Sequence, residues 1–138
     1  MNRYVLDSWA FLAWLQNEPA AASQVQSLIE QGERDECKLF ASIINIGEVY
    51  YLLVKRLGEE KAMEFRNAVF KMPVHIVSAT DDEVWQAVNF KKAFPISYAD
   101  AFAASAALTV DAAIVTGDGE FLAIGNSGPP IFWVGEPL

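Results

Sequence analysis

Short runs of β-branched and aromatic residues alternate along the chain with longer stretches of helical periodicity. Five runs have the length and composition of strands and are bounded by turn or polar residues. They cover residues 4–6, 38–41, 74–77, 113–116 and 131–134. The other periodic stretches predict helices at 9–16, 20–32, 42–57, 59–71, 80–93, 97–109 and 118–124. Strands that alternate with helices predict an α/β fold, in which parallel strands form a sheet with helices on both faces.

The length and composition agree with one packed domain. The chain has 138 residues, of which 53% are hydrophobic, and it shows neither an internal repeat nor a low-complexity linker. We therefore predict a single domain over residues 1–138. No secretory signal precedes the first strand, and no uncharged apolar run approaches the roughly 20 residues of a membrane helix. A cytoplasmic protein without a membrane segment is the expectation.

The single cysteine and the single histidine both favour structural roles. Cys37 opens an apolar run, which indicates a buried thiol, and it has no second cysteine with which to pair. His75 falls within a strand that is predicted to be buried. Chemistry that depends on a catalytic thiol or imidazole is therefore not expected.

The chain is strongly acidic. Its net charge of −8 results from 18 acidic and 10 basic residues. A charge of this sign repels a polyanion such as RNA. Divalent cations bound among the acids would reverse the local sign. The positions of the acids therefore matter more than their number.

The acids fall into two groups. Most lie in stretches that are expected to be exposed helix ends and loops, namely 30–36, 59–64 and 81–83. Four others do not. Asp7, Glu48 and Asp100 are each an isolated charge in an apolar stretch, and Asp118 follows an apolar strand through a single glycine. These four are the candidate functional acids.

Their positions suggest a common location. Asp7 and Asp118 lie just beyond the carboxyl ends of two predicted strands, which is the edge of a parallel sheet where ligands bind. Glu48 lies about two turns into the helix that follows another strand, from which it can be aimed back over that edge. Asp100 lies in the first turn of a helix, where the helix dipole favours an anion. A capping carboxylate is the simpler interpretation of Asp100.

Any one of these acids could be a partly buried carboxylate that backbone donors or an arginine satisfy. Four at once are harder to explain in this way, because their segments contain few basic residues and buried carboxylates without a counter-charge are destabilising. Mg²⁺ and Mn²⁺ prefer oxygen ligands, and one or two such ions can activate water for phosphodiester cleavage. The pattern therefore predicts a metal site with hydrolytic chemistry.

Four segments carry a resemblance to a known protein family. They read VLDSWA at 5–10, SIINIGEVYY at 42–51, ISYADAFAA at 96–104 and VTGDGEF at 115–121. Together, in this order and spacing, they extend over nearly the whole chain. The sequence resembles PIN-domain proteins, in particular the VapC-type toxins of bacterial and archaeal toxin–antitoxin pairs.

The resemblance implies a three-layer α/β/α sandwich, PIN-like and Rossmann-like, around a mostly parallel sheet of about five strands. It also implies an endoribonuclease that depends on Mg²⁺ or Mn²⁺. Asp7, Glu48 and Asp100 would be the core acids, while Asp118 occupies a more variable position and would act directly or through water. Ser8 and Thr116 would support the site by hydrogen bonds.

The resemblance also implies partners. Proteins of this type cleave RNA, commonly form homodimers, and are inhibited by a small antitoxin whose C-terminal segment occupies the groove. Two positions depart from the family pattern. Trp9 replaces a residue that is frequently small and polar, and Glu120 replaces a frequent second aspartate. Glu120 can contribute to metal binding, although an exposed loop acid is the simpler interpretation.

Other functions fit less well. A receiver-like signalling domain requires paired acids after the first strand and an aspartate after the third, and both are absent here. A haloacid-dehalogenase-like phosphatase requires a second aspartate where Trp9 stands. A catalytically degenerate PIN fold used only for binding, and a PIN nuclease that is not a toxin, stay open as alternatives. The sequence identifies neither the RNA that is cleaved nor the number of metal ions.

Overall fold

A five-stranded parallel sheet forms the centre of the molecule. The computed structural model describes residues 1–136, so the last two residues of the predicted domain lie outside the described residues. The strands are β1 (Asn2–Leu6), β2 (Cys37–Ser42), β3 (Val74–Val77), β4 (Ala113–Thr116) and β5 (Ile131–Trp133). They lie in the order β3-β2-β1-β4-β5, and every pair is parallel. The prediction of a parallel α/β sheet is confirmed.

Six α-helices connect the strands. They are α1 (Ser8–Leu15), α2 (Ala21–Glu33), α3 (Ile43–Leu57), α4 (Glu59–Val69), α5 (Asp81–Ala93) and α6 (Tyr98–Val110). The seventh predicted helix, 118–124, is instead a 3₁₀ helix at Gly119–Ala123. It starts directly after β4, where the side chain of Asp118 accepts a hydrogen bond from the Glu120 N–H and so tightens the turn.

The helices form one layer on each face of the sheet. Because side chains alternate along a strand, neighbouring residues of β1 face opposite layers. Leu6 packs with α1 to α4, and Val5 packs with α5 and α6. The same alternation separates Val115 from Ile114 in β4. The chain is therefore a three-layer α/β/α sandwich, as predicted.

The strand order reverses between β1 and β4. The chain builds β1, β2 and β3 towards one edge and then crosses to β4 and β5 on the other side of β1. In open parallel sheets the crevice at such a reversal, beyond the carboxyl ends of the strands, is the usual place for a ligand. Asp7 follows β1 directly, and its N–H donates to the Val115 carbonyl of β4 at 3.4 Å. The two strand ends are thus joined where the first acid lies.

Helix α6 lies directly on the sheet because its side chains are small. Five of its alanines are buried against β1, β2 and β4, at positions 101, 103, 104, 106 and 107. This close approach places the first turn of α6 over the crevice. No single helix within residues 1–136 is long and apolar enough to cross a membrane, although α5 and α6 together, bent by 119°, reach that length and composition.

Two expectations about polar residues are wrong. His75 is exposed, because β3 is an edge strand, and its ring lies against Phe40 with 5.4 Å between centroids. Glu83, which the sequence predicts to be exposed with its neighbours, is buried on the side of α5 that faces α6. The hydroxyls of Ser105 and Thr109 donate to its carboxylate, which explains why burial is tolerated. Cys37 is buried, as predicted.

Candidate active site

Asp7 occupies the junction between β1 and α1. Its Oδ1 accepts a hydrogen bond of 2.8 Å from the Ala10 N–H, so the residue is the N-cap of α1. The side chain is completely buried, and Oδ2 has no hydrogen-bond partner among residues 1–136. Capping of α1 therefore uses Oδ1 only, and Oδ2 is available to a ligand.

Asp100 lies in the first turn of α6 but does not cap it. The cap is Ser97, whose hydroxyl accepts from the Asp100 N–H at 3.1 Å. Asp100 is 5% exposed as a residue, and its Oδ2 lacks a partner among the described residues. The alternative interpretation of Asp100 as a capping carboxylate is therefore wrong. A second buried carboxylate oxygen is available at the same crevice.

Asp118 and Glu120 close the crevice from the end of β4. The Thr116 hydroxyl accepts from the Asp118 N–H at 3.0 Å, which fixes the turn after the strand. Glu120 is exposed, yet its Oε1 accepts from the Ser97 N–H at 3.0 Å and so ties this loop to the start of α6. Carboxylate oxygens of Asp100, Asp118 and Glu120 lie within 4.8 Å of one another. Glu120 is thus part of the acidic group rather than a free loop acid.

Glu48 lies at the margin of the site. It is half-buried on α3 and falls outside the compact group of Asp100, Asp118 and Glu120. Its negative charge nevertheless contributes to raising the pKa of Asp7, so it lies near enough to that carboxyl to act on it electrostatically. The four acids predicted from the sequence therefore lie close enough to influence one another, although Asp7 and Glu48 both fall outside the compact group of Asp100, Asp118 and Glu120.

The electrostatics of the site favour a cation. Burial raises the pKa of Asp7 to about 7, and the charges of Asp118 and Glu48 add to the rise, while the Thr116 hydroxyl and the Ala10 N–H oppose it. Burial likewise raises the pKa of Asp100 to about 8, with further contributions from Asp118 and Glu120. Such shifts mark carboxylates that lack a counter-charge and are typical of functional sites.

Asn45 connects the segments that carry the acids. Its Nδ2 donates to the Ser8 hydroxyl at 3.0 Å and to the Ala99 carbonyl at 3.1 Å. Ser8 follows Asp7 and Ala99 precedes Asp100, so one buried amide links α1 and α6. Asn45 also lies one turn before Glu48 on the same face of α3. Ser8 is thus hydrogen-bonded to Asn45 rather than to one of the acids.

Asn45 does not stand out in the sequence as a candidate residue. The available signal was its spacing of three residues before Glu48 within an otherwise apolar helix start. A polar residue that shares the buried face of an amphipathic helix needs a hydrogen-bond partner inside the protein. That partner belongs to other elements, so the tertiary structure was required to identify it.

The residues present fit a hard divalent cation. The donor set is entirely carboxylate oxygen, which Mg²⁺ and Mn²⁺ prefer. Asp7 Oδ2 and Asp100 Oδ2 are buried without a partner within residues 1–136, as is the amide oxygen of the neighbouring Asn45. Asp118 and Glu120 lie beside Asp100, and the charges of Asp118 and Glu48 act on Asp7. Within the described residues no lysine or arginine forms an ion pair with these acids. A bound cation would supply the missing counter-charge.

Comparison with known proteins identifies the family. The model of the PIN domain matches residues 4–126, which include all the acids of the crevice. The chain belongs to the PIN-domain family. A search of curated proteins gives no match. The prediction of family and fold from the sequence is confirmed, whereas the site residues stay predictions.

Solved structures share this PIN fold at low sequence identity. VapC20 of Mycobacterium tuberculosis, described as a sarcin-ricin loop cleaving toxin, gives a TM-score of 0.72 at 18% identity, over 88% of this chain and 95% of that one. VapBC of Salmonella typhimurium, bound to DNA, gives 0.70 at 16% identity over 96% and 98%. VapBC2 of Rickettsia felis, bound to a promoter DNA fragment, gives 0.69 at 17% over 96% and 99%. The likeness extends over nearly the full length of these chains.

Proposed function

We propose that this PIN domain is an endoribonuclease that depends on Mg²⁺ or Mn²⁺. The observation that carries the proposal is the pair of buried carboxylate oxygens, Asp7 Oδ2 and Asp100 Oδ2, which lack partners among residues 1–136 and lie at the crevice of a PIN fold. Buried polar atoms are almost always paired, so two unpaired oxygens in one crevice indicate a ligand.

The acids have different roles in this proposal. Asp7, Glu48, Asp100 and Asp118 are the ligands of the cation, with Asp118 acting directly or through water. Oxygens of Asp100 and Asp118 already lie within 4.8 Å of each other and of Glu120, and Glu48 is half-buried on α3. Thr116 fixes the turn that carries Asp118 and lies against Asp7. The bound ion would lower the pKa of water, orient the scissile phosphate and stabilise the developing charge.

The same cation explains how an acidic protein acts on a polyanion. Without metal, the carboxylates of the crevice repel phosphate. With metal, the local charge is reversed at the one place where phosphate must dock. We expect cleavage to require the ion for binding as well as for chemistry.

The proposal extends to a toxin of a toxin–antitoxin pair. Its support is the likeness to VapC20 of M. tuberculosis and to the VapBC complexes of R. felis and S. typhimurium, over at least 88% of this chain. A small antitoxin would then be the partner, and the toxin would be a cytoplasmic homodimer. A PIN nuclease without an antitoxin, and a catalytically degenerate binding module, are the alternatives.

Asp7→Asn provides the test. Asparagine keeps an oxygen that can cap α1, so the fold is retained while a metal ligand is lost. We expect the wild-type protein to cleave a mixed RNA pool in the presence of Mg²⁺ and the variant to leave it intact. Equal cleavage by both proteins, or no cleavage by either, would contradict the proposal, and the latter would favour the binding module. Growth arrest on expression of the wild type, relieved by Asp7→Asn and by the product of an adjacent small reading frame, tests the toxin role.

A further inference from the structure

Trp9 lies between two glycines at the back of the active-site turn. It is the second residue of α1 and is half-buried. A Cβ atom on Gly117 would lie 2.5 Å from Cζ2 and Cζ3 of the indole and still closer to Cη2. A Cβ atom on Gly135 would lie 3.2 Å from the same Cη2. The six-membered ring of the indole therefore packs closely against the backbone at Gly117 and at Gly135.

Gly117 is required by space rather than by backbone conformation. Its φ lies outside the left-handed region, unlike the φ of +91° at Gly135. This φ does not by itself require a glycine. Any side chain, however, would collide with the Trp9 ring. With Trp9 in this position, residue 117 can therefore carry no side chain.

The contact joins the segments that carry two acids. Trp9 follows Asp7 by two residues, and Gly117 immediately precedes Asp118. Like charges in one crevice repel each other, which favours movement of the loop that carries Asp118 away from Asp7. The Val134 N–H donates a hydrogen bond of 3.0 Å to the Thr116 carbonyl. The Gly135 N–H donates one of 2.7 Å to the Gln24 side chain. The indole is held against a backbone that is itself anchored.

We propose that Trp9 is a positioning residue for the metal site. Its ring presses on Gly117 and fixes the turn after β4, so that Asp118 is kept within reach of the ion that Asp7 and Asp100 bind. This inference rests on the proposed metal-dependent function. It adds a residue that touches neither metal nor substrate and that belongs to the hydrophobic packing of α1.

Metal affinity, measured without RNA, tests the role of the ring. Trp9→Ala is expected to weaken Mn²⁺ binding by about tenfold in isothermal titration calorimetry, as is usual when a group that orients metal ligands is lost. Trp9→Phe keeps an aromatic ring in the fold but lacks the outer atoms that reach Gly117, so we expect a similar loss. Trp14→Ala is the control, because Trp14 is half-buried on the same helix and its indole N–H is bonded to Gln26. It should lower the melting temperature without changing Mn²⁺ affinity.

A double-variant cycle tests the contact itself. Gly117→Ala should weaken Mn²⁺ binding by about tenfold in the wild-type background. In the Trp9→Ala background the added methyl group enters the vacated space, so Gly117→Ala should cause no further loss. Gly119→Ala is the control in the same loop, since its Cβ would meet no atom within 4 Å. It should bind Mn²⁺ as the wild type does.

The results that would contradict the positioning role differ from those that would contradict the proposed function. Wild-type affinity in both Trp9 variants, or an undiminished effect of Gly117→Ala when Trp9 is absent, would overturn the positioning role alone. A wild-type protein that binds Mn²⁺ but cleaves no RNA would overturn the proposed function and leave this comparison intact. A wild-type protein that binds no Mn²⁺ would overturn both.

Discussion

Asp100→Asn is expected to stabilise the metal-free protein while it removes activity. The substitution takes away a metal ligand, and RNA cleavage should fall by about 10²- to 10³-fold, comparable to the loss of one transition-state contact. It also removes a buried carboxylate that has no counter-charge when metal is absent. Melting temperatures in a chelator should therefore rise in the variant. Opposite effects on stability and activity are typical of residues retained for function.

The stability difference should depend on pH in a defined direction. The pKa of Asp100 is about 8 in the folded protein, against about 3.9 for an unfolded aspartate. The folded state therefore binds the proton more tightly, and the metal-free wild type loses stability as pH rises from about 4 to about 8. Asp100→Asn has no such proton, so its melting temperature should fall less over this range. The advantage of the variant should be largest at about pH 8 and above.

Asp111→Asn is the matched control for Asp100→Asn. Asp111 ends the same helix, is exposed, and has a φ of 55° that asparagine also adopts readily. Its replacement should change neither the pH dependence of melting nor cleavage. A lower melting temperature of metal-free Asp100→Asn at high pH, or retained cleavage, would contradict this account of Asp100.

Asn45→Ala is expected to lower both the free energy of unfolding and the affinity for Mn²⁺, and this is the second large effect. The Ser8 hydroxyl and the Ala99 carbonyl would lose their shared donor inside the protein. Unfolding in urea should show a loss of about 1–3 kcal/mol, as for other buried groups left unpaired. Mn²⁺ affinity should also fall, because the neighbours of Asp7 and Asp100 are no longer linked. Asn45→Asp should lower the free energy of unfolding further, since it adds a buried negative charge and removes both donors.

The control for Asn45 is Asn67→Ala on the exposed face of α4. It should change neither the free energy of unfolding nor Mn²⁺ affinity by a measurable amount. If Asn45→Ala unfolded and bound Mn²⁺ as the wild type does, its bonds to Ser8 and Ala99 would not organise the site.

The sequence predicted the sheet and its acidic edge because local signals were strong. Strand length, alternation and the acids that directly follow β1 and β4 are properties of neighbouring residues. The sequence did not predict the pairing of Glu83 with Ser105 and Thr109, because these hydroxyls lie on another helix. Contacts at long sequence separation depend on how helices pack, which periodicity does not specify.

The same limit applies within the site. From the sequence, an exposed loop acid is the simpler interpretation of Glu120. Its closeness to Asp100 and its bond to the Ser97 N–H become visible only when α6 is placed beside the loop. Trp9 was recognised as unusual, but its contact with Gly117 required the position of β4 relative to α1. The sequence predicts acids that interrupt or follow apolar runs, because neighbouring residues reveal them. Residues that position these acids are identified only by contacts in the folded structure.

Diffraction from crystals grown with Mn²⁺ tests the central claim most directly. We expect an anomalous peak in the crevice within coordination distance of Asp7 Oδ2 and Asp100 Oδ2, with Asp118 as a further direct or water-mediated ligand. The peak should be absent from crystals of Asp100→Asn grown under the same conditions. A wild-type crystal in which Mn²⁺ occupies other acids and leaves both oxygens without a ligand would contradict the assignment of this crevice as the metal centre.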